Sequence, residues 1–176
     1  MINLSINNEL IKLDGIQNLL SNIGNKIIEN KTLMKCLQYD SADALSQPEV
    51  TIEQIIDMVG KGSDHANQQK LFKMPFYDSV VSDPRTEIRF FIPKFEPNNI
   101  YLANVDVCFQ IVVHNAKWDL DDNLIKPLVM VNEILKDFNG QDLGGIGVLR
   151  LKSSIKVANW NSSFSGYFFY LSTRSV

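Results

Sequence analysis

The residues with the clearest capacity for chemistry lie in WDLDDNLIK, residues 118–126. Asp119, Asp121 and Asp122 could gather around a hard divalent cation, which takes oxygen ligands. Two such metals can drive phosphodiester cleavage. A capped, acid-rich helix start accounts for the same residues, because Asp and Asn stabilise the exposed N–H groups of a helix N-terminus. The rest of the catalytic inventory is poor. His65 lies in a polar loop and His114 follows a strand, and a zinc site needs more ligands at compatible spacing. Gly144-Gly145-x-Gly147 precedes a strand, whereas a phosphate loop runs from a strand into a helix, so it reads as a turn or bulge. Neither Cys36 nor Cys108 has an adjacent histidine to generate a reactive thiolate. There is no nucleophile elbow, Walker loop or dinucleotide fingerprint. No catalytic residue and no cofactor is expected, and the chain reads as a non-enzyme.

Composition bounds the class. The 176 residues suit one domain, and at this size a chain can bury enough surface to need no disulfide or metal. Two cysteines make neither a disulfide framework nor a four-cysteine zinc site, which points to a reducing cytoplasm. The mean hydropathy of -0.06, with no apolar run near the ~20 residues of a bilayer span, argues against a membrane protein. MINLSINNEL lacks the basic-then-apolar pattern of a secretory signal. The net charge of -3, from 17 Lys+Arg and 20 Asp+Glu, argues against a general nucleic-acid binder, which needs a basic face. It leaves room for a protein that lets DNA pass without gripping it.

The elements that would position these residues follow from periodicity. Ile16, Leu19, Leu20, Ile23, Ile27 and Ile28 recur at helical steps, with Met34 and Leu37 extending the face, so one helix is expected over about 16–38. Residues 39–86 are turn-rich yet apolar, with helical turns only in TIEQIIDMV, and read as an arm or loop region. EIRFFIPKF (87–95) reads as a strand that Pro93 places near an edge or an end, and EPNN (96–99) as a hairpin turn. Val105, Val107, Phe109, Ile111 and Val113 alternate with their neighbours, giving a strand with one buried face. A helix over 124–139, starting as late as Lys126 because of Pro127, presents the seam Leu124, Leu128, Val131, Leu135, Phe138 and stops at Asn139-Gly140. Strands follow at 146–157 and 164–173. The expectation is a single α+β domain over 1–176. It has a mainly antiparallel four-stranded sheet, packed by a long N-terminal helix and a second amphipathic helix, with a long extended arm at 39–86.

Two resemblances bear on function. The D-x-D-N-L-x-K pattern, with Asn139-Gly140 beyond it, resembles Rus-type Holliday-junction resolvases. That likeness implies magnesium at Asp119 and Asp121, with Lys126 at the family's lysine. It departs from the family where GQDLGGIG offers Asp142 in place of a second acidic pair. The broader likeness covers residues 16–172. A leucine-rich helix leads into Y-D-S-x-D-A-L-S-x-P (Tyr39 to Pro48). A strand ends in His-Asn-x-x-Trp (His114 to Trp118) before an amphipathic helix ending Phe-Asn. In this layout the chain resembles the neck proteins of tailed bacteriophages: tail-terminator, tail-completion or head–tail connector ring subunits. That resemblance implies a homo-oligomeric ring in the virion neck, assembled in the host cytoplasm. Its implied neighbours are a portal or adaptor protein and tail tube proteins, and DNA passes through the lumen without sequence recognition. The expected subunit contacts are Leu45, Pro48, Phe72, Met74, Phe76, Tyr77 and Phe91. An apolar arm such as 66–84 would lie across a neighbour and strand 87–95 would face the next subunit.

Overall fold

The computed structural model describes residues 3–59, 68–75, 84–97, 103–143 and 147–173. Its helices are α1 (Asn3–Glu29), α2 (Lys31–Gln38), α3 (Ile52–Val59) and α4 (Lys126–Phe138). Its strands are β1 (Leu71–Phe72), β2 (Thr86–Pro97), β3 (Ala103–His114), β4 (Leu149–Leu151), β5 (Lys156–Asn159) and β6 (Phe164–Thr173). Short 3-10 turns occupy Ala44–Ser46, Asn115–Lys117 and Asp121–Asn123.

The helix expected over 16–38 is two helices, broken at Asn30. This residue is extended (φ -81°, ψ 104°), and its side-chain oxygen accepts from the Leu33 N–H at 2.9 Å, capping α2. Its side-chain N–H group donates to Asp137 (2.7 Å) and Glu133 (3.2 Å) on α4. The break therefore falls where one amide both caps a helix and ties it to a distant one. Gly24 stays helical: a Cβ there would meet Phe90 at an ordinary 3.6 Å, so nothing bends the chain. α3 begins with a reciprocal cap. The Gln54 N–H donates to Thr51 Oγ1 (3.3 Å), and the Thr51 N–H donates to Gln54 Oε1 (2.9 Å).

The fold is α+β and the sheet mainly antiparallel, as expected, but among the described residues the sheet has six strands where four were expected. The order is β1-β2-β3-β6-β4, with β5 also on β6. β1 runs parallel to β2, Leu71 opposite Ile88. The strand expected over 146–157 is two short ones sharing the outer edge of β6. β4 takes residues 171–173 and β5 takes 165–168, with the chain leaving the ladder between them. Pro93 is exposed at a bulge between Phe91 and Lys94, beyond the reach of the two-residue β1, so that among the described residues β2 is locally an edge there, as expected. There its missing N–H costs no ladder bond. The EPNN turn falls largely outside the described residues.

The core lies between this sheet and α1, α2 and α4. Val105, Val107, Phe109, Ile111 and Val113 are all buried on one face of β3, as their alternation requires. Phe109 is the hub: its ring centroid lies 6.3 Å from Phe90, 5.5 Å from Phe169 and 5.4 Å from Phe138 of α4. Contrary to expectation, β3 is buried on its other face too, where Asp106, Cys108 and Val112 have little exposure. The helical seam also differs. α4 buries Pro127, Met130, Val131, Ile134 and Phe138, leaving Leu124 and Leu128 exposed. Leu124 never joins the helix because residues 119–125 close a small hairpin first. Asp119 bridges Ile125, the Leu120 N–H donates to Leu124 O (2.9 Å), and the Lys126 N–H donates to Trp118 O (2.8 Å).

Candidate subunit interface

Much of the described part of the region expected to be an extended arm packs on its own domain, while Ile52, Ile56 and Met74 stay exposed. Ala44 and Met58 are buried, and Leu45, Val50, Ile55 and Val59 pack against the core. What holds it there are two lysines. The last carbonyls of a helix have no partner within it and carry partial negative charge. At the end of α2, Lys70 Nζ donates to Leu37 O (2.7 Å) and Gln38 O (3.4 Å), and Lys126 Nζ donates to Tyr39 O (2.9 Å). Burial pushes both ammonium groups below the usual lysine range, and the nearby Asp40 carboxylate opposes that. The Asp121 N–H donates to Ala42 O (2.9 Å), so the 118–126 hairpin is tied to the same turn. Lys126, which the resolvase likeness would place in a catalytic role, is fully buried under this turn.

A second buried charge cluster sits on β2. The Glu87 carboxylate accepts from Arg85 Nε (2.5 Å) and Arg89 Nε (2.7 Å). Arg89 also donates to Pro75 O (3.1 Å), and its guanidinium lies 4.0 Å above the Phe72 ring. Phe72 is thereby committed to its own chain, as is Leu71, which is buried. The described part of the 66–84 segment, residues 68–75, is therefore tied to its own chain at Lys70, Leu71, Phe72 and Pro75. Of the other expected contact residues, Leu45 belongs to the core periphery, while Pro48 and Met74 are exposed at different places on the chain. Phe91 is half-buried on the sheet face away from the helices, and Phe76 and Tyr77 lie outside the described residues. Among the described members of this set, Pro48 and Met74 are the exposed ones.

The acidic hairpin is solvent-facing. Asp119, Asp121 and Asp122 are exposed, and Asp122 and Asn123 turn the chain with left-handed backbone (φ 61° and 59°). Among the described residues no group of three or more His, Cys, Asp or Glu stands where it could hold a metal. His114 serves locally: its Nδ1 accepts from the Ala116 N–H at 3.2 Å and its ring meets Phe164 edge-on. His65, Gly144 and Gly145 lie outside the described residues. Both thiols are buried, which pushes each up to about 11 from an ordinary 9.0. The Lys126 charge near Cys36 does not offset that burial, so neither thiol is an available nucleophile.

Two surfaces were not anticipated from the sequence. On the helical side, Leu124, Ile125 and Leu128 stand exposed beside the three aspartates. On the opposite sheet face, register aligns Phe168 with Gln110 and Lys156, Tyr170 with Cys108, and Ser172 with Asp106 and Arg150. Phe168 and Tyr170 are half-buried there, their rings edge to face at 6.1 Å. Lys152 joins this face through its 2.6 Å bond to Asp106. One sequence signal was available for this surface: residues 143–176 contain Arg150, Lys152, Lys156 and Arg174 but no Asp or Glu.

No helix among the described residues is long and apolar enough to cross a membrane. No curated protein and no solved structure matches the chain. The YomW family profile matches residues 30–173, from the Asn30 cap of α2 to the end of β6, and leaves α1 outside. With the whole sheet and three of the four helices inside that match, the chain belongs to the YomW family, a bacteriophage-type family.

Proposed function

We propose that this protein is a structural subunit of a bacteriophage neck, a head–tail connector or tail-terminator ring component that joins the capsid portal to the tail and lets DNA pass. The observation that carries this reading is membership of a phage-type family over residues 30–173, on an α+β chain in which the strings Tyr39 to Pro48 and His114 to Trp118 serve architecture. Tyr39 O and Ala42 O anchor the hairpin, and Trp118 stacks near Tyr167 with centroids 6.1 Å apart. Such a subunit works by shape and surface: closed head-to-tail contacts between identical copies make a ring. A modest negative charge lets DNA slide through it without being gripped. A magnesium nuclease would need further ligands beside Asp119 and Asp121, and the described residues gather none.

The test is genetic and structural together. A phage lacking the gene is expected to accumulate filled heads and separate tails, and purified virions are expected to contain the protein at the head–tail junction by gold labelling. Normal virion yield without the gene, and no protein in the particle, would sink the proposal.

A further inference from the structure

The two unanticipated surfaces are complementary and lie on opposite sides of the molecule. The hairpin belongs to the helical layer: Leu120 is buried, Trp118 packs on the core, and Lys126 caps α2. It presents Leu124, Ile125 and Leu128, exposed by 41%, 38% and 42%, next to Asp119, Asp121 and Asp122. Those three carboxylates make no ion pair among the described residues. The far sheet face presents the Phe168 and Tyr170 rings with Arg150 and Lys156 exposed beside them, and these two cations likewise make no ion pair among the described residues. The acids on that face are each paired: Asp106 with Lys152 (2.6 Å) and Ser172 (2.7 Å), Glu87 with Arg85 and Arg89, and Glu96 with Lys94 (2.8 Å).

From this we infer that the acidic, leucine-rich hairpin of one copy docks on the basic, aromatic sheet face of the next copy, a heterologous contact that repeats head to tail. This rests on the neck reading and gives it a specific interface. Two features argue for a second copy as the occupant. Apolar residues meet apolar residues, each patch carries its own charge sign, and a charge-matched rim favours the correct register. The layers also place donor and acceptor surfaces back to back, so one docking step leaves both ends free for the next. Aromatic rings beside cations also suit single-stranded nucleic acid, which stacks its bases on such rings. The net charge of -3 and the matching acidic hairpin favour the chain itself.

Charge reversal separates these possibilities, because every substituted residue is exposed and the fold does not depend on it. One variant is Asp119→Lys/Asp121→Lys, which leaves the left-handed turn residues Asp122 and Asn123 in place, and the other is Arg150→Glu/Lys156→Glu. Sedimentation velocity over a concentration series is expected to show assembly of the unsubstituted protein, stronger at low salt. Each variant alone is expected to assemble at least about tenfold more weakly, since like charges then face each other. An equal mixture of the two variants is expected to assemble again, because each hairpin now meets a face of opposite sign.

Assembly that neither variant alters would overturn the interface and leave the neck reading standing. A protein and a mixture that both stay monomeric at every concentration would also overturn the interface, while the virion experiment decides the function separately. Binding of a labelled single-stranded oligonucleotide that is lost in Arg150→Glu/Lys156→Glu would assign the face to nucleic acid instead.

Discussion

The two faces of β3 solve the same problem by different means. On the helical face, Val105, Val107, Phe109, Ile111 and Val113 are buried by apolar contact, which is non-directional and scales with area. On the far face, Cys108 and Val112 are buried beside matched polar groups: Glu87 of β2 between two arginines, and Asp106 between Lys152 and Ser172. An apolar face tolerates changes that keep volume, whereas a buried polar group that loses its partner keeps its full desolvation cost. The apolar face sets how stable the subunit is. The polar face, with Phe168 and Tyr170 only half-buried, keeps surface for something else.

The sharpest way to break the far face is Gly166→Ala. A Cβ there would fall 1.9 Å from Ile111 O and 3.2 Å from the Trp160 ring, so β6 could not keep its place beside β3. A loss of at least about 4 kcal/mol is expected, read as insoluble or unfolded protein by circular dichroism. On the helical face, Phe109→Ala is expected to cost about 3–5 kcal/mol in urea denaturation, because it empties the centre of three ring contacts. Glu87→Ala is expected to cost about 3 kcal/mol by removing the buried carboxylate that Arg85 and Arg89 share. Glu87→Leu/Arg89→Met should recover most of that, since a well-packed apolar pair can replace a buried ion pair.

The two cysteines sharpen the comparison by pH, Cys36 within the helical layer and Cys108 on the far face. Each thiol is raised by burial from 9.0 to about 11. Between those values the folded chain holds a proton that the unfolded chain has released, so stability is full below pH 9 and falls as pH rises toward 11. The expected loss is roughly 3 kcal/mol per thiol over that interval. Cys36→Ala and Cys108→Ala should each flatten part of that slope in a denaturation series across pH, and an unchanged slope would contradict the burial account. The smallest effect belongs to the outer aromatics. Phe168→Ser is expected to change monomer stability by less than about 1 kcal/mol while weakening assembly, a split that sedimentation and denaturation measure separately.

Much of the fold was legible in local pattern. The alternation in β3, the stop at Asn139-Gly140, and the late start of α4 at Lys126 all hold, because each depends on neighbours within a few residues. The hairpin was read only as an acidic helix start, since its closing bonds from Leu120 to Leu124 and Lys126 to Trp118 leave no periodic trace. That hairpin in turn shifted the buried face of α4 from Leu124 and Leu128 to Met130 and Ile134. The tie of residues 70–75 to their own chain, through Lys70 to the end of α2 and Arg89 to Pro75 O, likewise left no local trace in the sequence.

The sequence by itself determined the α+β class and the apolar face of the central strand, because hydrophobic period is a local property that any burial must respect. It also carried the separation of an acidic segment at 119–122 from an acid-free stretch after residue 142. Only the tertiary structure decided that the helical run breaks at Asn30, whose partners Glu133 and Asp137 lie 103 and 107 residues away. It also decided that β1 runs parallel to β2, that β4 and β5 share one edge of β6, and that acidic and basic surfaces stand on opposite sides of the sheet. These depend on which distant groups meet, and pairing across such separations is set by the whole packed core rather than by any window of the chain.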